Sequence, residues 1–129
     1  MKKDIENRDD IERMVRHFYQ KVIADDVIGF IFTDIAKVNW EHHLPVMFTF
    51  WENVIFYTGG YDGNPIEMHK HLNRLYPLKT MHFIRWNELF EKSVDELFAG
   101  INASLAKQRA LSISTVLQIK ILQNNAATE

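Results

Sequence analysis

A chain of 129 residues is about the length of one domain, and its 47% hydrophobic and 12% aromatic residues are enough to build one core. The formal charge is −2 at pH 7 and no basic stripe appears along the sequence, which argues against a nucleic-acid partner. The absence of cysteine excludes disulfides, iron–sulfur clusters and thiolate catalysis, and it fits a reducing compartment.

The N-terminal segment is not expected to act as a secretion signal. Its first ten residues, MKKDIENRDD, are charged and contain no apolar h-region. No apolar run in the chain approaches the roughly 18 residues that a membrane span requires. We therefore expect a cytoplasmic protein, a monomer or weak dimer, that has neither a membrane nor a nucleic acid as partner.

Apolar side chains recur at helical spacing through most of the chain, and 5 glycines and 3 prolines are few for an all-β fold. The first helix, capped by Asn7 or Asp9, carries its apolar face from Ile11 onward. A short element follows from Asp25 or Asp26. The remaining helices are predicted over about 40–57, 65–72, 80–99 and 101–123.

No alternating strand pattern and no internal repeat occurs between these helices. The pattern therefore predicts an all-α fold, with a single domain over residues 1–129. The polar ends, about residues 1–8 and 124–129, are expected to be flexible because little in them can pack against a core.

The helix predicted over 40–57 carries two adjacent histidines on different faces. His43 shares a stripe of the helix with four apolar residues, Met47, Phe50, Trp51 and Val54. His42 falls on another stripe, one residue around the helix. His43 is therefore expected to face the interior, and His42 is not.

A strong helix-start signal precedes a second pair of histidines, His69 and His71. Asn64 is suited to the N-cap, Pro65 to the first helical position and Glu67 to the capping box. On this helix the two histidines point about 200° apart, so they cannot both face one site. Spacing alone favours the common arrangement of one hydrogen-bonded core histidine and one surface histidine, without choosing between them.

Familiar enzyme motifs are absent. The sequence contains no G-x-S-x-G nucleophile motif, no phosphate-binding or dinucleotide glycine pattern and no H-E-x-x-H zinc helix. Because the chain contains no cysteine, imidazole is the strongest metal-ligand type available. Tyr19, Phe32 and Trp86 lie among apolar residues, where core packing is the ordinary interpretation, although a buried tyrosine hydroxyl needs a partner.

Five segments, in their order and spacing, resemble the truncated haemoglobins, most closely the third group of these bacterial 2-on-2 globins. They are FYQKV at 18–22, GFIF ending at 32, WEHHLPVMFTFW at 40–51, GNPIEMH at 63–69 and HFIRWNELF at 82–90. The resemblance covers about residues 11–120. It implies a globin-like fold, a truncated 2-on-2 helical sandwich around haem b (iron protoporphyrin IX).

The same resemblance implies roles for individual residues. His69 becomes the proximal ligand of the haem iron because it stands four residues after Pro65, with His71 as the alternative. The distal polar residues are Tyr19, His43 and Trp86. The residues expected to pack against the haem are Phe32, Met47 and Phe83. The propionates of such a haem require cations nearby, and the candidates are Lys70, Arg74 and Lys79, although solvated surface charge is the ordinary interpretation of each.

A haem protein of this kind is expected to bind O2, NO or a similar small ligand. Donors on the distal side stabilise negative charge on a bound ligand, so the resemblance favours redox handling of O2, NO or peroxide over bulk oxygen transport. Such activity, of NO dioxygenase or peroxidase type, needs an external reductase since no flavin or nicotinamide motif is present.

Two other classes of function remain open from the sequence. One is a haem-free helical sensor or interaction domain. The other is a non-haem metal site that uses His43 with His69 or His71.

Overall fold

The computed structural model describes residues 1–61 and 63–127, with the backbone alone for 124–127. The helices are α1 (Arg8–Ala24), a short π-helix (Ile31–Ile35), α2 (Trp40–Phe56), α3 (Pro65–Leu75), α4 (Thr80–Leu97) and α5 (Ile101–Ala127). No strand occurs in these described ranges, which confirms the predicted all-α class. No helix in them is long and apolar enough to cross a membrane.

Local capping explains where two of these helices begin. The Asn7 side chain accepts a hydrogen bond from the Asp10 backbone N–H at 3.0 Å, so Asn7 is the cap of α1. The Asn64 side chain accepts from the Glu67 backbone N–H at 3.2 Å, and Pro65 occupies the first position of α3. α3 continues to Leu75, three residues beyond its predicted end.

A cluster of aromatic rings forms the centre of the core. The rings of Trp51 and Trp86 stack on Phe90 at centroid distances of 4.6 and 5.7 Å. Phe18 makes edge contacts with Phe90 and Trp86 at 5.3 and 5.4 Å. Offset and edge-to-face pairs of this kind add to the free energy gained by burying the rings. The cluster joins α1, α2 and α4, and α5 packs against α2, α3 and α4.

The first residues of the chain are packed, in contrast to the flexible segment expected over about 1–8. Ile5 is fully buried, and the Ala99 backbone N–H donates to the carbonyl of Lys3 at 3.0 Å. The Asp4 carboxylate accepts from the backbone N–H groups of Asn102 and Ala103 at 2.9 and 2.8 Å. Asp4 thereby caps the start of α5. At the other end, residues 128–129 and the side chains of 124–127 lie outside the described part, so flexibility there stays a prediction.

An ion pair ties the end of α1 to α4. Asp25 accepts from Nε and Nη2 of Arg85 at 2.8 and 2.6 Å, and its other oxygen accepts from the backbone N–H groups of Val27 and Ile28. Burial of the Asp25 carboxyl raises its pKa, but the hydrogen bonds from Arg85 and the backbone outweigh burial and hold the pKa below its usual value. The ionised carboxylate therefore stabilises the fold.

Replacing Asp25 with asparagine is expected to lower the free energy of unfolding at pH 7 by about 1–3 kcal/mol. A carboxyl whose pKa is lowered in the folded state stabilises it above the unfolded pKa, so the difference from wild type should shrink as the pH falls below about 4. Urea unfolding at pH 7 and pH 3 measures both effects. The neighbouring exposed Asp26→Asn is the control; an equal loss in both variants would contradict a specific role for Asp25.

Candidate functional site

One cavity opens between the helices beside the aromatic cluster. Together with the space at its open mouth, which reaches solvent, it measures about 1070 Å³. Its wall is largely apolar, with contributions such as Ile28, Leu72, Leu78 and Leu117. Seven of the residues predicted for the site line it, namely Tyr19, Phe32, His43, Met47, His69, Phe83 and Trp86.

His69 is held in one orientation by the start of its own helix. Its Nδ1 lies 2.6 Å from the carbonyl oxygen of Pro65, one turn earlier in α3. A carbonyl can only accept, so Nδ1 carries the proton and donates. Burial lowers the pKa of His69, and the hydrogen bond to Pro65 raises it by a smaller amount. The net lowering of the pKa favours the neutral ring. Nε2 therefore keeps its lone pair, as a metal ligand requires.

His71 occupies the opposite face of α3. It is exposed and does not line the cavity, whereas His69 is partly buried and does. The approximately 200° between positions two residues apart on a helix explains the difference. The structure thus brings only His69 of this pair to the cavity.

Tyr19 and His43 form a polar pair in the cavity wall. The Tyr19 hydroxyl lies 3.1 Å from His43 Nε2, and Tyr19 is 6% exposed. Burial raises the pKa of Tyr19, so the hydroxyl stays protonated, and burial followed by the neighbouring His69 lowers the pKa of His43. His42 is exposed, so the orientation predicted for the two adjacent histidines is confirmed.

The remaining predicted wall residues are aromatic or apolar, and ring contacts hold two of them, Trp86 and Phe32, in place. Trp86 is part of the aromatic cluster and reaches the cavity from α4, as Phe83 does one turn earlier. Phe32, from the π-helix, stacks with Trp40 at 6.5 Å and makes an edge contact with Tyr19 at 6.1 Å. These contacts restrict the rotamers of the rings and so give the cavity a defined shape.

The three cations predicted to lie near the propionates do not line the cavity. Lys70 lies 3.8 Å from the Glu67 carboxylate, one turn away on α3, and Arg74 and Lys79 are exposed. Their predicted role thus has no direct support from the positions of these side chains, and it stays a prediction.

Sequence reasoning missed His82, which lines the cavity and is 8% exposed. Its Nδ1 accepts the backbone N–H of Lys79 at 2.9 Å, at the start of α4. A histidine at the third position of a predicted helix could have indicated this capping role, although histidine is not among the residues that strongly signal a helix start. Nothing in the sequence indicated that the same ring also reaches the cavity.

The side chains that could bind a metal in this site suit a cofactor whose metal already has most of its ligands. In the described part of the chain, no group of three or more His, Cys, Asp or Glu side chains gathers to hold a bare metal ion. A single neutral imidazole with a bare Nε2, set in a large apolar cavity, instead fits a metal already held by a flat macrocycle. Fold and site together fit a haem-binding helical protein of globin type.

Comparison with known proteins identifies the family. No protein-family model matches the chain. Over 121 residues it is 30% identical to the group 3 truncated haemoglobin ctb of Campylobacter jejuni, a match that covers 92% of this chain and 93% of that protein. It superposes on the crystal structure of a group III truncated haemoglobin from Campylobacter jejuni with a TM-score of 0.81 and 28% identity, covering 94% and 95% of the two chains.

The chain therefore belongs to the group 3 truncated haemoglobins. The predicted globin-like 2-on-2 fold is confirmed by this superposition. Membership also implies a haem as the cofactor and small diatomic molecules such as O2 as its ligands.

Proposed function

We propose that the whole chain forms one truncated-globin domain that holds a single haem b, with His69 as the proximal ligand of the iron. The observation that carries this proposal is the hydrogen bond from His69 Nδ1 to the Pro65 carbonyl at 2.6 Å. It fixes the tautomer and the ring orientation, as such bonds do for metal-bound histidines. His71, exposed on α3, is the alternative ligand.

Tyr19, His43 and Trp86 form the distal side in this proposal. When bound, the haem supplies an iron with one coordination position open to O2, NO or a similar ligand. In the His43 tautomer that carries its proton on Nε2, this nitrogen donates to the Tyr19 oxygen across their 3.1 Å contact, and the Tyr19 O–H is then left to donate into the cavity. Trp86 also lines the cavity, and we assign its indole N–H as a second donor.

The apolar wall and the surface cations complete the assignment. Phe32, Met47 and Phe83 pack against the macrocycle and exclude water from the polar pair. The predicted cations serve the propionates through side chains that reach along the surface; they are Lys70, Arg74 and Lys79.

Donors in a dry cavity hold a partly negative ligand strongly, so O2 leaves slowly. Slow release suits redox handling of O2, NO or peroxide better than bulk transport. Turnover by an NO dioxygenase or peroxidase reaction would draw electrons from an external reductase, because the sequence carries no flavin or nicotinamide motif.

Titration of the purified protein with haemin tests the proposal. We expect saturation at one haem per chain with a strong Soret band. Leu117→Trp should weaken uptake by filling the cavity, whereas the exposed Leu111→Trp on the same helix should not. Unchanged far-UV circular dichroism in both variants would separate this effect from misfolding.

Failure of the wild type to take up haem would overturn the proposal. Tight zinc or iron binding without porphyrin would then favour the non-haem site, and full stability without any cofactor would favour a haem-free helical domain.

A further inference from the structure

His82 is held at the N-terminal turn of α4 with its proton position determined. The Lys79 backbone N–H donates to His82 Nδ1 at 2.9 Å, and an amide N–H can only donate. Nδ1 is therefore unprotonated, and the neutral ring carries its proton on Nε2. Burial, followed by the charge of Lys79, lowers the pKa of His82, which agrees with a neutral ring.

His82 lies where its Nε2–H can be offered to the cavity. His82 lines the cavity and is 8% exposed in all. Among the described side chains, the only fully buried polar atom without a hydrogen-bond partner is Asn87 Oδ1. His82 Nε2 also has no hydrogen-bond partner, so it is not fully buried and retains accessible surface. The ring is oriented by the Lys79 bond and by Tyr76, whose ring lies 5.9 Å away.

Several other polar groups of the wall already have partners within the protein, and the donors that remain, the Tyr19 hydroxyl and the Trp86 indole N–H, are assigned above to the distal ligand. Tyr19 and His43 bond to each other, and His69 Nδ1 bonds to a backbone carbonyl. The Ser114 hydroxyl donates to the Leu111 carbonyl at 3.1 Å. His82 Nε2–H thus remains to be satisfied by whatever occupies the cavity, since a donor left unpaired at a dry wall is costly.

We propose that His82 anchors the bound haem by donating its Nε2–H to one of the haem carboxylates, a role that rests on the proposed haem function. The carboxylates are the anionic groups of an otherwise apolar macrocycle, and an N–H donor is attracted to them much more strongly than to a vinyl or methyl edge. Leu78 and Phe83, which flank His82 in the cavity wall, supply apolar contacts alone. The charged side chains Lys70, Arg74 and Lys79 lie off this wall, whereas His82 is on it.

Two substitutions separate the two ring nitrogens of His82. In His82→Asn, the amide oxygen can replace Nδ1 as the acceptor for Lys79, but nothing replaces the Nε2–H. In His82→Gln, the longer amide can return an N–H donor towards the cavity. His42→Asn, an exposed histidine substituted in the same way, is the matched control.

The experiment measures the rate of haem transfer to excess apomyoglobin from protein loaded with haemin or with haemin dimethyl ester. The ester lacks the anionic carboxylates and keeps the rest of the macrocycle. We expect His82→Asn to speed loss of haemin by about tenfold, the usual scale for one charge-assisted hydrogen bond, and to change loss of the ester little. His82→Gln should restore much of the haemin retention, and His42→Asn should match wild type.

Three results would overturn the inference. Equal acceleration for haemin and its ester would make His82 a structural residue of α4, and the thermal stability of the haem-free variants would then fall in parallel. Unchanged haemin loss in His82→Asn would mean that Nε2 faces solvent. Failure of wild type to retain either porphyrin would remove the proposed function itself, which distinguishes it from failure of the His82 contact alone.

Discussion

The O2 dissociation rate of the reduced, haem-loaded protein is expected to rise about 10- to 100-fold when Tyr19 is replaced by phenylalanine. The substitution removes a hydroxyl that lies in the cavity wall 3.1 Å from His43 Nε2. A hydrogen bond to a partly charged ligand is worth about 1.5–3 kcal/mol, and about 1.4 kcal/mol corresponds to tenfold. Stopped-flow replacement of O2 by CO measures the rate.

The Tyr19→Phe variant should remain folded because its ring contacts persist. Phe18 and Trp40 lie 4.9 and 5.1 Å from the Tyr19 ring and do not depend on the hydroxyl. Tyr57→Phe, at a tyrosine that is 73% exposed, is the control and should leave the rate unchanged. An unchanged rate in Tyr19→Phe as well would show that Tyr19 does not bond the ligand, and would shift that role to Trp86 or His43.

The positions of the helices in this fold depend largely on residues close together in sequence, which is why they could be predicted. The Asn64-Pro65 pair and Glu67 act within one turn, so the start of α3 needs no information from elsewhere in the chain. The apolar stripe around His43 likewise defines which face of α2 is buried. Both features depend on residues at most a few turns apart.

The choice between His69 and His71 illustrates what local pattern does not contain. Ile66 precedes His69 by three residues and Met68 precedes His71 by three residues, so this spacing does not choose between the two histidines. The packing of α3 against α5 decides which face turns inward, and that contact joins residues far apart in sequence. The resemblance to a family supplied the choice, and the position of His69 in the cavity agrees with it.

Polar contacts between residues far apart in the chain could not be predicted from the sequence either. Asp4 accepts a hydrogen bond at the start of α5 from Asn102, which lies 98 residues later in the chain. The sequence around Asp4 is highly charged, and such a segment is ordinarily expected to be solvated. The pair of Asp25 and Arg85 spans 60 residues in the same way. Charged side chains are usually solvated, so sequence reasoning assigns them to the surface unless a partner is already known.

Haem affinity is expected to fall roughly 100-fold or more when His69 is replaced by glycine, and added imidazole should restore part of it. Removing a group that only supports a metal ligand lowers metal affinity by about 10- to 100-fold. Removing the ligand itself should lower the affinity at least as much. Imidazole can enter the space that the side chain leaves and supply the missing nitrogen. Absorbance of the Soret band during haemin titration measures the affinity.

The same titration of wild type, His69→Gly and His71→Gly tests the central claim most directly. Both variants place glycine within α3 and carry the same helix penalty of about 1 kcal/mol, so any difference reports on the histidine itself. The predicted result is a strong Soret band in wild type and His71→Gly, with loss in His69→Gly that imidazole reverses. A band lost in His71→Gly and kept in His69→Gly would contradict the assignment of His69.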